Sequence, residues 1–111
     1  MSEKGYDNLN TILGENSQYE GTLNIKGSMR IDGELKGSIT AESVVISKKA
    51  RVIANITASN VIIGGKLEGN IISARLIKLQ DQSQVIGDIE TERLMIEEGA
   101  QLQGKCTMKT K

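Results

Sequence analysis

The chain has 111 residues, and its fourteen basic and fourteen acidic side chains leave no net charge to attract nucleic acid or an anionic membrane. It has no histidine, proline, tryptophan or phenylalanine, and its aromatics are Tyr6 and Tyr19. Zinc hydrolases, Ser-His-Asp hydrolases and histidine-ligated haem are excluded, as are stacking platforms for single-stranded nucleic acid.

In chain order, residues 1–11 are polar and lie outside any repeat, which predicts a flexible tail. Tyr6, Leu9, Ile12 and Leu13 have helix-like spacing, making Tyr6 and Leu9 candidates for membrane contact. Glu3, Asp7 and Glu15 stand beside them, so the contact would be weak. From Ile12 to Cys106 the chain repeats. A unit aliphatic-x-Gly-x-aliphatic begins at Tyr19-x-Gly21-x-Leu23 and recurs around Gly37, Ala54, Gly69, Gly87 and Gly104, at intervals of 15 to 18 residues. Ala54 is its one substitution of the glycine. A second unit, aliphatic-x-aliphatic, falls between the first ones at Met29-x-Ile31, Val44-x-Ile46, Val61-x-Ile63, Ile77-x-Leu79 and Leu94-x-Ile96. Leu76 stands where that fourth copy should begin, so this copy carries one inserted residue.

The gap from the second unit to the next first unit is four residues or six. A change of two keeps the inward phase of a strand, whereas it would rotate a helix's apolar face by half a turn. Pieces of three to five alternating residues cannot bury a core as separate hairpins, but stacked turns can. The reading is an all-β, single-domain parallel β-helix with about six turns of ~17 residues and three short faces per turn. At the ~4.8 Å strand spacing it forms a rod roughly 29 Å long. Gly33, Gly64, Gly65 and Gly99 are assigned to corners with positive φ, and the glycines inside the repeat to relief of crowding. Residues 12–106 form the core, and residues 107–111 a short basic end.

Several patterns invite chemistry and decline it. Gly64-Gly65-Lys66 lacks the Ser or Thr and the upstream glycine of a phosphate loop, so it reads as a corner, with no nucleotide bound. Glu90 and Glu92 could share a strand face, yet no histidine or third ligand accompanies them, so no metal or cofactor is expected. Cys106 takes an inward phase and reads as core. As a lone cysteine it suits a reducing compartment, and with no signal peptide or ~18-residue apolar span a cytoplasmic location follows. For the same reason Asn55-Ile56-Thr57 is a chance glycosylation match. Charge is uneven: Lys48, Lys49, Arg51, Lys66, Arg75 and Lys78 face Glu68 alone, whereas Asp81, Asp88, Glu90, Glu92, Glu97 and Glu98 face Arg93 alone. Lateral pairing of antiparallel or staggered rods through Lys48, Lys49, Arg51, Glu90 and Glu92 would match basic middles with acidic ends.

Three stretches carry a family resemblance. They are Thr11-Ile12-Leu13-Gly14, Arg30-Ile31-Asp32-Gly33-Glu34-Leu35-Lys36-Gly37-Ser38-Ile39, and Ile96-Glu97-Glu98-Gly99-Ala100-Gln101-Leu102-Gln103-Gly104-Lys105-Cys106-Thr107-Met108. Over residues 11 to 108 the chain resembles the bactofilins, bacterial cytoskeletal proteins. The resemblance implies a right-handed triangular β-helix that polymerises end to end, without nucleotide, into apolar filaments. These scaffold cell shape or the placement of cell-envelope and wall-modifying proteins at the inner face of the membrane. Leu102 stands where the family often has phenylalanine, and the short tail has no obvious hydrophobic targeting peptide. A β-helix has two open ends that most solenoids cap, and five residues after Cys106 offer little cover, so the expected polymerisation surfaces are Leu94, Ile96, Leu102, Cys106 and Met108 at the C-terminal end, and Ile12, Leu13, Tyr19 and Leu23 at the N-terminal end. Two other classes compete. A hexapeptide-type acyltransferase would need a strict six-residue period and usually a histidine, and an ice-binding solenoid would need ranks of Thr-x-Thr.

Overall fold

The structure, a computed structural model, describes residues 11–108, the first three through their backbone alone. Thirteen strands pair throughout in parallel, and the described residues contain no helix. The first face stacks β1 (Thr11–Leu13), β3 (Ser28–Ile31), β5 (Ser43–Ile46), the end of β6 (Arg51–Ile63), the end of β8 (Ile71–Leu79) and β11 (Arg93–Ile96). The second face stacks the starts of β2 (Gln18–Asn24), β4 (Glu34–Thr40) and β6, then β7 (Lys66–Glu68), β9 (Gln84–Ile86) and β12 (Gln101–Gln103). The third stacks the ends of β2 and β4, the middle of β6, the start of β8, β10 (Ile89–Thr91) and β13 (Cys106–Met108). The turn count is about five rather than the expected six, because six rungs are joined by five rung-to-rung steps.

Like stacks on like inside. Leu35, Val52, Leu67 and Val85 form one inward column, and Ile39, Ile56, Ile71 and Ile89 another. All eight are at most 2% exposed, so the interior of rungs two to five is dry and aliphatic. The inserted residue lies where the repeat places it. Between Ser73 and Leu76 two residues oppose the single Ser59, a bulge that lets the first face re-enter register. The buried Ser73 hydroxyl lies 2.8 Å from Ser59 O and 3.1 Å from Leu76 O, tying the bulge to its neighbour.

The two gap lengths are two corner types between the first and second faces. Long corners close a turn by a backbone hydrogen bond: Ser17 N–H to Gly14 O, Ala50 N–H to Ser47 O, Ser83 N–H to Gln80 O, and Ala100 N–H to Glu97 O. Short corners at Gly33 and at Gly64-Gly65 nest inside the long corner before them. A Cβ on Gly33 would fall 2.4 Å from Gly14 O, and one on Gly65 2.4 Å from Ser47 O. Of the four glycines assigned positive φ, Gly99 has it at 90°, while Gly33, Gly64 and Gly65 do not and are glycine because backbone crowds them. The glycines of the repeat are the ones with positive φ, at 135° to 142°, since each turns the chain from the second face to the third in a single residue. The crowding expected of the repeat glycines is present as well, since a Cβ on Gly37, Gly69, Gly87 or Gly104 would fall 1.8 to 2.0 Å from a backbone oxygen one rung earlier. Ala54 has no positive φ, and β6 runs through it unbroken.

Ser83 Oγ is buried in its long corner with no hydrogen-bond partner. Ala50 and Ala100 hold the same place in two other long corners. Ser83→Ala should therefore raise stability by about 1 kcal/mol, because it removes a desolvated hydroxyl without opening a void. The check is a higher urea midpoint at unchanged m-value.

Candidate functional site

Burial fails abruptly at the sixth rung. Ile96 is 51% exposed and Met108 48%, Cys106 is exposed, and Leu94 and Leu102 are only half-buried, although their equivalents one rung earlier are sealed. Among the described residues no rung covers them, and β11, β12 and β13 each pair on one side only. Assignment of Cys106 to the core is therefore corrected. It follows Ile89 in register, but a column's last member has nothing above it. The five residues expected at the C-terminal surface are brought together on this rung. An apolar cross-section rimmed by unpaired strand edges is a surface built to accept more β-structure.

At the other end Tyr19 and Leu23 are half-buried in the first rung, joined by Ile25, which the repeat reading left out. Ile12 and Leu13 do not hold equivalent places: Leu13 is in register with inward-facing Ile31, and Ile12 with exposed Arg30. Tyr6 and Leu9 lie outside the described residues.

A polar ladder along the corner between the second and third faces escaped the repeat reading. Asn70 N–H donates to Asn55 Oδ1 at 3.3 Å, Asp88 N–H to Asn70 Oδ1 at 3.4 Å, and Lys105 N–H to Asp88 Oδ1 at 3.1 Å. These residues directly follow Ala54, Gly69, Gly87 and Gly104. The tight corner turns their N–H away from any backbone carbonyl, and the side chain one rung earlier supplies the acceptor. The signal was present: the position after the repeat's centre is polar in every rung, reading Thr22, Ser38, Asn55, Asn70, Asp88 and Lys105.

The residues proposed for lateral contact do not share a face. Lys48 and Lys49 occupy a long corner, Arg51 is on the second face, Glu90 on the third, and Glu92 at the return to the first. Lys49 Nζ meets Glu15 Oε2 at 2.8 Å across the first short corner, and this pairing holds its ammonium above the usual lysine range. Beside it, a hydrogen bond from Ser47 holds Asp32 below the usual carboxylate range, with Arg30 adding to the effect at 3.2 Å. Lys49 is exposed and Asp32 half-buried at the surface, and these bonds order the corner rather than stabilise the fold appreciably. Lys78 Nζ reaches Glu97 Oε2 at 3.4 Å. Gly64-Gly65-Lys66 forms a short corner, as read. Among the described residues no group of three or more His, Cys, Asp or Glu side chains is placed to hold a metal ion.

Comparison with known proteins places these features. The bactofilin family profile, described as polymer-forming cytoskeletal, matches residues 11–107. Bactofilin BacO of Myxococcus xanthus (strain DK1622) is 32% identical over 103 residues, covering 92% of this chain and 82% of that protein. Bactofilin BacP of the same organism is 28% identical over 100 residues, covering 89% of this chain but 42% of that longer protein. The solid-state NMR structure of the cytoskeletal bactofilin BacA superposes with a TM-score of 0.83 at 28% identity, covering 92% of this chain and 98% of that one. Repeat and rung architecture agree with this match over nearly the whole described length, and the chain belongs to the bactofilin family of polymer-forming, structural cytoskeletal proteins.

Proposed function

We propose that the filament grows end to end through the two open rungs, and that the growing polymer scaffolds cell shape or the placement of cell-envelope proteins. The observation that carries this is the uncovered sixth rung, where Leu94, Ile96, Leu102, Cys106 and Met108 expose a core cross-section and three unpaired strand edges. Tyr19, Leu23 and Ile25 support the first rung as the opposite surface, with Leu13 in register beside them. Burial of apolar area supplies the driving force, so no nucleotide is required. The acyltransferase and ice-binding readings give way to the family's structural role. Electron microscopy of purified protein in nucleotide-free buffer tests the reading, and persistent monomers at high concentration would end it.

We further propose a location at the inner face of the cytoplasmic membrane, with wall-modifying enzymes as clients. No described helix is long and apolar enough to cross a membrane. Membrane contact through residues 1–10, Tyr6 and Leu9 among them, would be weak per subunit and multiplied along a filament. Deleting these residues should leave polymer formation intact and release filaments from anionic liposomes in a flotation assay. Full-length filaments that never float with liposomes would rule out direct contact.

A further inference from the structure

The first face carries a column that its fold leaves unexplained. Arg30, Val45, Ile62, Lys78 and Met95 stack in register on its outer side, one per rung from the second to the sixth. Val45 and Ile62 are half-buried, Met95 is 52% exposed, and the Lys78 head is drawn aside to Glu97, which leaves its aliphatic stem in the column. The outer residues of the second face are mostly charged or amide, with Ile53 and Ile86 separated by Glu68. On the third face exposed Ile72 stands between Thr57 and Glu90, whereas on the first face Val45, Ile62, the Lys78 stem and Met95 follow one another over four rungs.

One edge of that stripe carries charge of opposite sign at its two ends. At the third rung Lys48 lines the same groove as Val45 and Arg30, and it makes no ion pair with another described residue. At the sixth rung Glu98 is exposed on the equivalent corner. At the stripe's other edge the signs are mixed: Glu42 precedes β5 in the third rung, and in the sixth Glu92 holds the equivalent place, with Arg93 next to it opening β11.

We propose that this face is a lateral contact between two copies of the chain running antiparallel, related by a two-fold axis between the fourth and fifth rungs. That axis sets Val45 of each copy against Met95 of the other and Ile62 against the Lys78 stem. It sets Lys48 against Glu98 and brings Arg93 within reach of Glu42. Moving the axis to the fourth rung would instead set Val45 against Lys78 and Arg30 against Met95, losing the apolar match. The stripe spans about four rungs by three residues, roughly 200 Å² per subunit at ordinary strand spacings. A stable dimer buries ~800 Å² per partner, so single subunits stay apart, and only filaments pair, by adding many weak contacts. The proposal therefore rests on the filament reading and names one of its side surfaces.

The test uses full-length protein, with low-speed pelleting and filament width by electron microscopy to report pairing, and high-speed pelleting to report polymer. Wild-type filaments should pair at low ionic strength and separate in a few hundred millimolar salt, where the ~8 Å physiological screening length shortens further. Lys48→Glu and Glu98→Lys should each cut the low-speed pellet at least fivefold with the high-speed pellet unchanged. The double variant Lys48→Glu/Glu98→Lys should restore it. Restoration by Lys48→Glu/Asp81→Lys instead, or single variants that pair as wild type does, would overturn the proposed contact, as would wild-type filaments that never pair. An empty high-speed pellet from wild-type protein would overturn the filament reading and the lateral contact with it.

Discussion

Gly87→Ala should destabilise the fold by about 4 kcal/mol or more, a large part of the ~5–15 kcal/mol typical of a domain. Two effects combine there. The residue has φ of 142°, which an L side chain rarely adopts, and its Cβ would lie 1.9 Å from Gly69 O and 2.8 Å from Gly69 C. No rotamer relieves a clash with backbone, so two rungs must separate for the methyl to fit. The loss should appear as a collapsed urea midpoint or as protein unfolded on purification. Gly14→Ala is the matched control: its Cβ would meet only Ser17 Oγ at 3.9 Å, and the midpoint should move little. Equal effects at the two positions would mean that the corner's geometry is not what demands glycine.

Leu102→Arg should stop filament growth while leaving the β-rich circular dichroism spectrum and the melting temperature nearly unchanged. Leu102 stacks on Val85 in the last rung and is half-buried, so the free subunit lets a long charged side chain turn to solvent. A docked subunit does not. Burying the guanidinium there without a partner costs at least ~3 kcal/mol, about a hundredfold in the concentration needed for assembly. Sedimentation across a concentration series reads that shift directly. Leu102→Phe adds apolar area at the same place and should assemble at or below the wild-type concentration. Normal filaments from folded Leu102→Arg protein would remove the C-terminal rung from the assembly account.

Much of this rod was legible because strands of period two make stacked repeats visible as spacing. The four-or-six gap became short and long corners, and the odd copy at Leu76 became a bulge. What spacing could not convey was direction. It could not say which glycines turn the chain and which merely lie under a carbonyl, because both needs select the same residue. Nor could the inward phase of Cys106 reveal that the column stops with it, since phase is local and coverage depends on a neighbouring rung. The same holds for Ile12, which a hydropathy pattern groups with Leu13 although the register separates them. The residues exposed together on the C-terminal rung were legible as a group, whereas the residues chosen for lateral contact by charge alone lie on different faces.

The corner ladder also changes chemistry at the sixth rung. Each link needs a side-chain oxygen to receive the next rung's N–H, and Asn55, Asn70 and Asp88 provide one. Lys105, the last in line, is a donor with no oxygen to offer. A seventh rung laid down in the same register would bring its corner N–H against an ammonium and leave that donor without an acceptor. A subunit docking on the sixth rung would therefore meet a corner unlike the three beneath it, and the junction would be a seam between subunits rather than one more turn of the same thread.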